Sequence, residues 1–220
     1  MGRRVRGLFH MPEPFHAFES GFLHRPSSGG ADGLALTHGA GANCQTALLA
    51  AMANAFAEAG VTVYRFDLPF RRRRPQGPPH PGGASEDRAG IREAARSLRA
   101  LVSGRIFIGG HSYGGRQASI LAAEETDVAD GLLLVSYPLH PPNRPDQLRT
   151  AHFPRIRIPT FFVHGTRDPF ATTDELSLAI QAIPGPKSVL TVDGAGHSLK
   201  PQIGREATPA FLSWLGAQDG

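Results

Sequence analysis

The chain contains one cysteine, Cys44. An internal disulfide framework is therefore excluded, and no thiolate cluster can hold a metal. Long hydrophobic runs are missing too. No apolar stretch approaches the roughly 18 residues a membrane span needs. The basic start, Met1 to His10, is not followed by the apolar core of a secretory signal, because Pro12, Glu13 and Pro14 interrupt it. Myristoylation at Gly2 would want Ser or Thr at position 6, and Arg6 stands there. No zinc-finger, RNA-recognition or helix-turn-helix pattern is present, and no glycine-rich segment carries the Lys-Ser/Thr of a P-loop. No internal repeat and no linker divides the chain. These absences predict a cytoplasmic protein without membrane or nucleic-acid partners, cofactor or metal. Nothing in the sequence sets an oligomeric state.

What is present is an ordinary globular composition, 40% hydrophobic and 19% charged over 220 residues. That length suits a single domain over 1–220 with a sizeable core. The net charge of +4 gathers in Arg3, Arg4, Arg6 and Arg71–Arg74 rather than along a stripe. Residues 1–30 read as an N-terminal extension. Within it Phe15–Phe18 and Phe22–His24 make a candidate hairpin turning at Gly21. From Leu34 onward strands and helices alternate. Strands are expected at 34–37, 61–66, 106–108, 131–137, 160–164 and 188–192. Helices are expected at 43–59, 86–102 with Ser85 as N-cap, 116–125, 173–183 and 203–215, with a short one near 146–152. Arg71–Gly83, rich in Arg, Pro and Gly, reads as an irregular loop. The alternation predicts an α/β fold: a mostly parallel sheet with helices on both faces. In such sheets the working site lies beyond the carboxyl ends of the strands.

The stretch Gly104–Arg116 organises the chemistry. A β-branched run, Ile106-Phe107-Ile108, leads into Gly110-His111-Ser112-Tyr113-Gly114 and then a helix. In a strand–turn–helix setting, G-x-S-x-G is a nucleophile elbow. A nucleophilic serine needs a base, and the base needs a carboxylate to orient it. Asp168 follows the strand ending at His164, and His197 follows the last strand. Asp193 competes for the acid role, but its loop context is poorer. Cys44 opens a helix with no elbow around it. Acyl transfer also needs two N–H groups facing the developing oxyanion. Tyr113, after the serine, supplies one, and the loop His38-Gly39-Ala40-Gly41 supplies the other.

The motifs L-T-H-G-A-G-A (36–42), Y-R-F-D-L-P-F-R (64–71) and G-G-H-S-Y-G-G-R (109–116) give the chain a family likeness. From the Leu34 region to near the C-terminus it resembles the α/β-hydrolase superfamily. Within that superfamily it is similar to a small lidless branch, which includes dienelactone-hydrolase-related bacterial proteins and the hydrolase-like domain of a eukaryotic chromatin-complex subunit. The resemblance implies a Ser112–Asp168–His197 triad, an oxyanion hole from Gly39 or Ala40 with Tyr113, and no cap domain. Dienelactone hydrolases proper carry cysteine at the elbow where this chain has Ser112, so the lactone substrate does not carry over.

The expected activity is serine-dependent hydrolysis of a carboxylic ester or thioester. Two other readings use the same fold: a non-catalytic interaction module, and the same triad acting with another acceptor or with peroxide. Arg71 and Arg72, at the head of the loop that leaves a strand end, are candidate binders of an anionic substrate group. His111, beside the serine, is a third candidate on the substrate side, placed by its position to pack rather than to attack.

Overall fold

The computed structural model describes residues 15–27 and 29–218. Eight strands form one sheet: β1 (Phe15–Phe18), β2 (Gly21–His24), β3 (Gly33–Thr37), β4 (Thr62–Phe66), β5 (Ile106–His111), β6 (Gly131–Val135), β7 (Thr160–Gly165) and β8 (Lys187–Val192). Their spatial order is β1-β2-β4-β3-β5-β6-β7-β8. All pairs from β4 to β8 are parallel. The hairpin β1–β2 adds two antiparallel strands at the β4 edge. The N-terminal segment therefore extends the sheet. The calls on residues 1–14 lie outside the described residues.

Strand alternation feeds two cores. Leu34 and Leu36 of β3, Phe107 of β5, and Leu133 and Val135 of β6 face one side. There they meet Leu49, Met52 and Phe56 of α1 (Ala47–Glu58) and Ala207, Phe211 and Leu215 of α6 (Ile203–Gly216). Ala35, Ile106, Ile108, Leu132 and Leu134 face the other side. They pack on Ile91, Ala94 and Leu98 of α3 (Ala84–Arg99) and on Ala118 and Leu121 of α4 (Tyr113–Glu124). Burial of both faces explains why these strands read as continuous apolar runs.

The chain crosses from β3 outward to β4, then back past β3 to β5. Loops after β3 and β5 thus leave adjacent strand ends in opposite directions. The crevice between them is the topological switch point where ligands bind in open α/β sheets. Residues 136–159, between β6 and β7, hold only a 3-10 turn at Phe153–Arg155, and no separate cap lies over the sheet.

Several local readings need correction. Gly21 opens β2, and the hairpin turns on Glu19 and Ser20, with Glu19 at φ 45. The first helix starts at Ala47 rather than Asn43. The preceding backbone is committed elsewhere: Gln45 N–H bonds Asn43 Oδ1, Cys44 N–H bonds Asp67 Oδ1, and Cys44 O accepts Arg65 Nη1. Pro69–Arg73 is a short helix, α2, not irregular loop. Proline fits its first turn, and the buried Asp87 carboxylate accepts Phe70 N–H at 3.0 Å. Ser85 lies inside α3, whose N-cap is Gly83. No helix forms near 146–152, because the Tyr137 hydroxyl takes Arg149 O and Arg149 N–H bonds back to Leu139 O. The helix after β7, α5, stops at Ala179 and tightens into a 3-10 turn at Ile180–Ala182. No helix among the described residues is long and apolar enough to cross a membrane.

The hairpin is latched by a buried cation. Arg65 of β4 is 3% exposed and stacks on Phe15 and Phe22 at 4.8 and 4.2 Å. Its Nε donates to His24 Nε2 at 2.7 Å, and His24 Nδ1 in turn donates to Asn54 Oδ1 at 2.9 Å. Burial, helped by the Arg65 charge, pushes His24 down from 6.5 to about 4. Between those two values the unfolded chain takes up a proton that folded His24 refuses, so stability falls as pH drops through that window. The expected loss is up to about 3 kcal/mol. Urea unfolding of wild type and His24→Gln across the window checks this, and the variant should lose less.

Candidate active site

Ser112 belongs to two elements at once. Its N–H completes the β5–β6 ladder by bonding Val135 O at 2.8 Å. Its carbonyl accepts Arg116 N–H at 3.0 Å and so starts α4. Serving both forces the backbone to φ 51 and ψ −114, a conformation L-residues rarely adopt. The turn fits only because its flanks are glycine. A Cβ on Gly110 would lie 2.6 Å from Thr37 O, and one on Gly114 would lie 2.6 Å from His38 O. Both obstacles lie at or just past the end of β3, and the elbow crowds itself as well, since a Cβ on Gly115 would lie 2.5 Å from Gly110 O.

The structure brings Ser112, His197 and Asp168 into one hydrogen-bonded chain. His197 Nε2 lies 2.8 Å from Ser112 Oγ. His197 Nδ1 lies 2.8 Å from Asp168 Oδ2 and 3.1 Å from Oδ1. The Asp168 side chain is fully buried, while that of His197 is 18% exposed. Asp168 Oδ1 also accepts Phe170 N–H at 2.9 Å. With Nδ1–H turned to the carboxylate, Nε2 presents its lone pair to the serine hydroxyl. That is the tautomer general-base catalysis needs. Asp193 plays no part in this chain. It is exposed, and its Oδ1 accepts a bond from Thr166.

Two neighbours fix the imidazole: Phe170, which sequence reasoning did not identify, and His111, which it did. The Phe170 ring lies against it, centroids 4.1 Å apart and planes 35° apart. His111 Nε2 donates to His197 O at 3.0 Å, tying down the backbone of that residue. Burial pushes the His111 pKa down and keeps the ring neutral. His111 is thus placed as a strut between the elbow and the His197 loop.

The loop after β3 carries Gly39 and Ala40 to the elbow. A Cβ on Gly39 would lie 3.4 Å from Ser112 Cβ. His38, fully buried, donates from Nδ1 to Gly39 O at 2.9 Å and accepts Leu68 N–H on Nε2 at 3.1 Å. Burial lowers its pKa, consistent with a neutral ring doing both. Arg71 holds the rest of the loop. Its Nη2 donates to Ala40 O at 2.8 Å and its Nε to Ala42 O at 2.7 Å. The loop carbonyls are therefore engaged away from the elbow. Tyr113, first residue of α4, has an N–H with no intrahelical acceptor. Its hydroxyl donates to Asp87 Oδ2 at 2.7 Å, so the side chain anchors α4 to α3.

The two arginines expected to bind substrate do other things. Arg71 is 5% exposed and its guanidinium is spent on backbone carbonyls. Arg72 is exposed and lines a crevice of ≈ 620 Å³ with Glu19, Tyr64 and Glu93, between the hairpin and α3. Neither faces Ser112 as proposed, because α2 turns successive side chains to different sides. Cys44 is buried in the turn before α1, and burial pushes its thiol up to about 12, so it holds no reactive thiolate.

Comparison with known proteins places the chain in a family. A family model described as "Alpha/beta hydrolase domain" matches residues 31–211. Among solved structures, Est1E from Butyrivibrio proteoclasticus superposes with a TM-score of 0.70 at 17% identity, covering 89% of this chain and 93% of its own. The dienelactone hydrolase of Anabaena variabilis superposes with a TM-score of 0.68 at 18% identity, covering 90% of each chain. Both likenesses are likenesses of fold. In sequence, Epoxide hydrolase A of Mycobacterium tuberculosis is 38% identical over 60 residues, which is 27% of this chain and 19% of that protein. The matched segment thus spans about a fifth of that curated relative.

The glycine contacts set a stability test. Gly114→Ala places its methyl 2.6 Å from His38 O, whereas Gly41 has open space around it. Gly114→Ala should cost about 2 kcal/mol or more, as overpacking does. For a chain of this size that is about 6 °C in melting temperature. Gly41→Ala should melt close to wild type, and differential scanning calorimetry separates the two.

Proposed function

The chain belongs to the alpha/beta hydrolase family, and on that premise we propose that it is a serine hydrolase of carboxylic esters or thioesters. The observation that carries this reading is the Asp168–His197–Ser112 relay, with both of its links at 2.8 Å. Ser112 Oγ attacks the substrate carbonyl as His197 Nε2 takes its proton. Buried Asp168 holds the imidazole in the right tautomer and stabilises the imidazolium that forms. The carbonyl oxygen gains charge against two backbone donors, Tyr113 N–H and the N–H of Ala40, with Gly39 giving the loop its close approach. Each such donor is worth about 3 kcal/mol in the transition state. His197 then hands the proton to the departing alcohol or thiol, leaving the acyl group on Ser112. Water, activated by the same imidazole, releases the acid and restores the serine.

The positive φ of Ser112 supports the reading, because strain at such a turn costs of the order of 1–3 kcal/mol and persists where the surrounding structure over-determines it. An idle serine would gain nothing from it. The absence of a cap leaves the nucleophile approachable from the open side, which suits substrates that extend beyond the reacting carbonyl.

Labelling with a fluorophosphonate probe tests the proposal. Wild type should label covalently and Ser112→Ala should not. A folded wild type that fails to label favours a non-catalytic interaction module instead. Asp168→Asn should keep the fold and lower kcat by about 10³–10⁴-fold, since the amide stabilises the wrong imidazole tautomer. Release of p-nitrophenol from a short acyl ester provides the readout.

A further inference from the structure

The connection from β6 to β7 folds along the flank of α4 and brings two guanidinium groups together there. Arg116 sits one turn into the nucleophile's helix, with its N–H on Ser112 O. Arg149 lies in the connection, and its backbone is locked: N–H to Leu139 O at 2.8 Å, carbonyl to the Tyr137 hydroxyl at 2.7 Å. Tyr137, 1% exposed, interacts with both arginines, and burial keeps its hydroxyl protonated. Ser119, one turn on, donates from Oγ to Arg116 O at 2.9 Å, so the start of α4 and the connection share a hydrogen-bonded seam through His152. The Arg149 pKa is pushed down, first by burial and then by the Arg116 charge. The adjoining His152 is pushed down to about 4, by burial, Arg116 and Arg155 in that order. It stays neutral and donates from Nε2 to Ser119 Oγ at 2.8 Å.

This cluster is short of acceptors. Neither Arg116 nor Arg149 has a carboxylate partner among the described residues, although Arg73, Arg88, Arg92, Arg99 and Arg105 all do. Arg116 Nε is buried with no hydrogen-bond acceptor at all. The side chain of Arg149 makes one long bond, Nη1 to Pro138 O at 3.4 Å. Ser136, fully buried at the end of β6 with φ 49, has an unpartnered Oγ as well. Buried polar groups in native proteins are ordinarily paired, yet these two half-buried arginines include a buried donor, Arg116 Nε, without an acceptor. A carboxylate satisfies several guanidinium N–H groups at once and relieves the repulsion between the two cations.

We propose that Arg116 and Arg149 form an anion subsite beside Ser112 that takes a carboxylate carried elsewhere on the ester substrate. The preferred substrates are then half-esters or half-thioesters of dicarboxylic acids, or esters whose leaving group bears a carboxylate. The proposal rests on the serine-hydrolase reading for its chemistry, but the subsite can be tested without turnover.

The kinetic arm compares mono-p-nitrophenyl glutarate with p-nitrophenyl valerate, and 4-acetoxybenzoate with its methyl ester. One pair places the carboxylate on the acyl side, the other on the leaving group. In wild type at least one anionic substrate should have the higher kcat/KM. Arg116→Gln and Arg149→Lys should cut that anionic-to-neutral ratio by about tenfold or more, chiefly through KM, as loss of a charge-assisted bond does. The lysine variant keeps the positive charge and the backbone bond from Tyr137, so a loss there reads the guanidinium fork rather than the fold. The binding arm titrates monomethyl glutarate and 4-acetoxybenzoate into Ser112→Ala by calorimetry, with and without each arginine change. Arginine-dependent binding with no hydrolysis of any ester keeps the subsite and rejects the serine-hydrolase reading. Hydrolysis of neutral esters with neither an arginine-dependent preference nor arginine-dependent binding overturns the subsite alone.

Discussion

The rest of the molecule is arranged around the double duty of the Ser112 backbone. One peptide N–H must finish a strand while the carbonyl of the same residue begins a helix. No relaxed L-residue conformation achieves both, so the residue sits at φ 51 and is held there from outside. The end of β3 supplies much of that restraint, through Thr37 and His38 carbonyls that leave room only for glycine at 110 and 114. The parallel sheet supplies more, by burying both faces of β5 so that the strand cannot shift to relieve its last residue. Strain of this kind survives where packing over-determines it, and here two hydrophobic layers do so.

A second theme is the use of histidines and a buried arginine as fixtures for main-chain carbonyls. His38 holds Gly39, His111 holds His197, and His164 donates to Ala171 beyond the acid loop. Arg71 gathers carbonyls from four residues: Ala40, Ala42, Arg74 and Gly77. Each engaged carbonyl already has its donor, which fixes the backbone that carries it. The polar groups behind the elbow therefore act on geometry more than on charge. Asp87 does the same on the other flank, joining Phe70 N–H to the Tyr113 hydroxyl and so fixing α2 and α4 to α3.

Sequence and structure agree where the determinants are local or periodic. The apolar runs at 34–37, 106–108 and 131–135 declare themselves because parallel strands are buried on both faces. The elbow is legible because its glycines are needed within five residues of one another. Asp168 and His197 are visible as polar residues just beyond strand ends. What stays hidden depends on distant partners. Four consecutive arginines look alike in sequence, yet only Arg71 turns inward. Its role depends on where the 40–42 carbonyls lie, and no local pattern encodes that. The α2 helix is similarly opaque, since its first turn is stabilised by a carboxylate seventeen positions away in α3. Phe170 carries a weak signal, an aromatic two residues after the acid, which spacing alone does not assign to the imidazole.

The tight approach of β3 to the elbow also says something about tolerance to substitution. Thr37 and His38 present backbone carbonyls to Gly110 and Gly114, so neither glycine can gain a side chain without displacing the chain at the end of β3. The exposed segment 142–148 bears no comparable restraint. Substitutions should therefore be tolerated more readily along that segment than at Gly110 and Gly114.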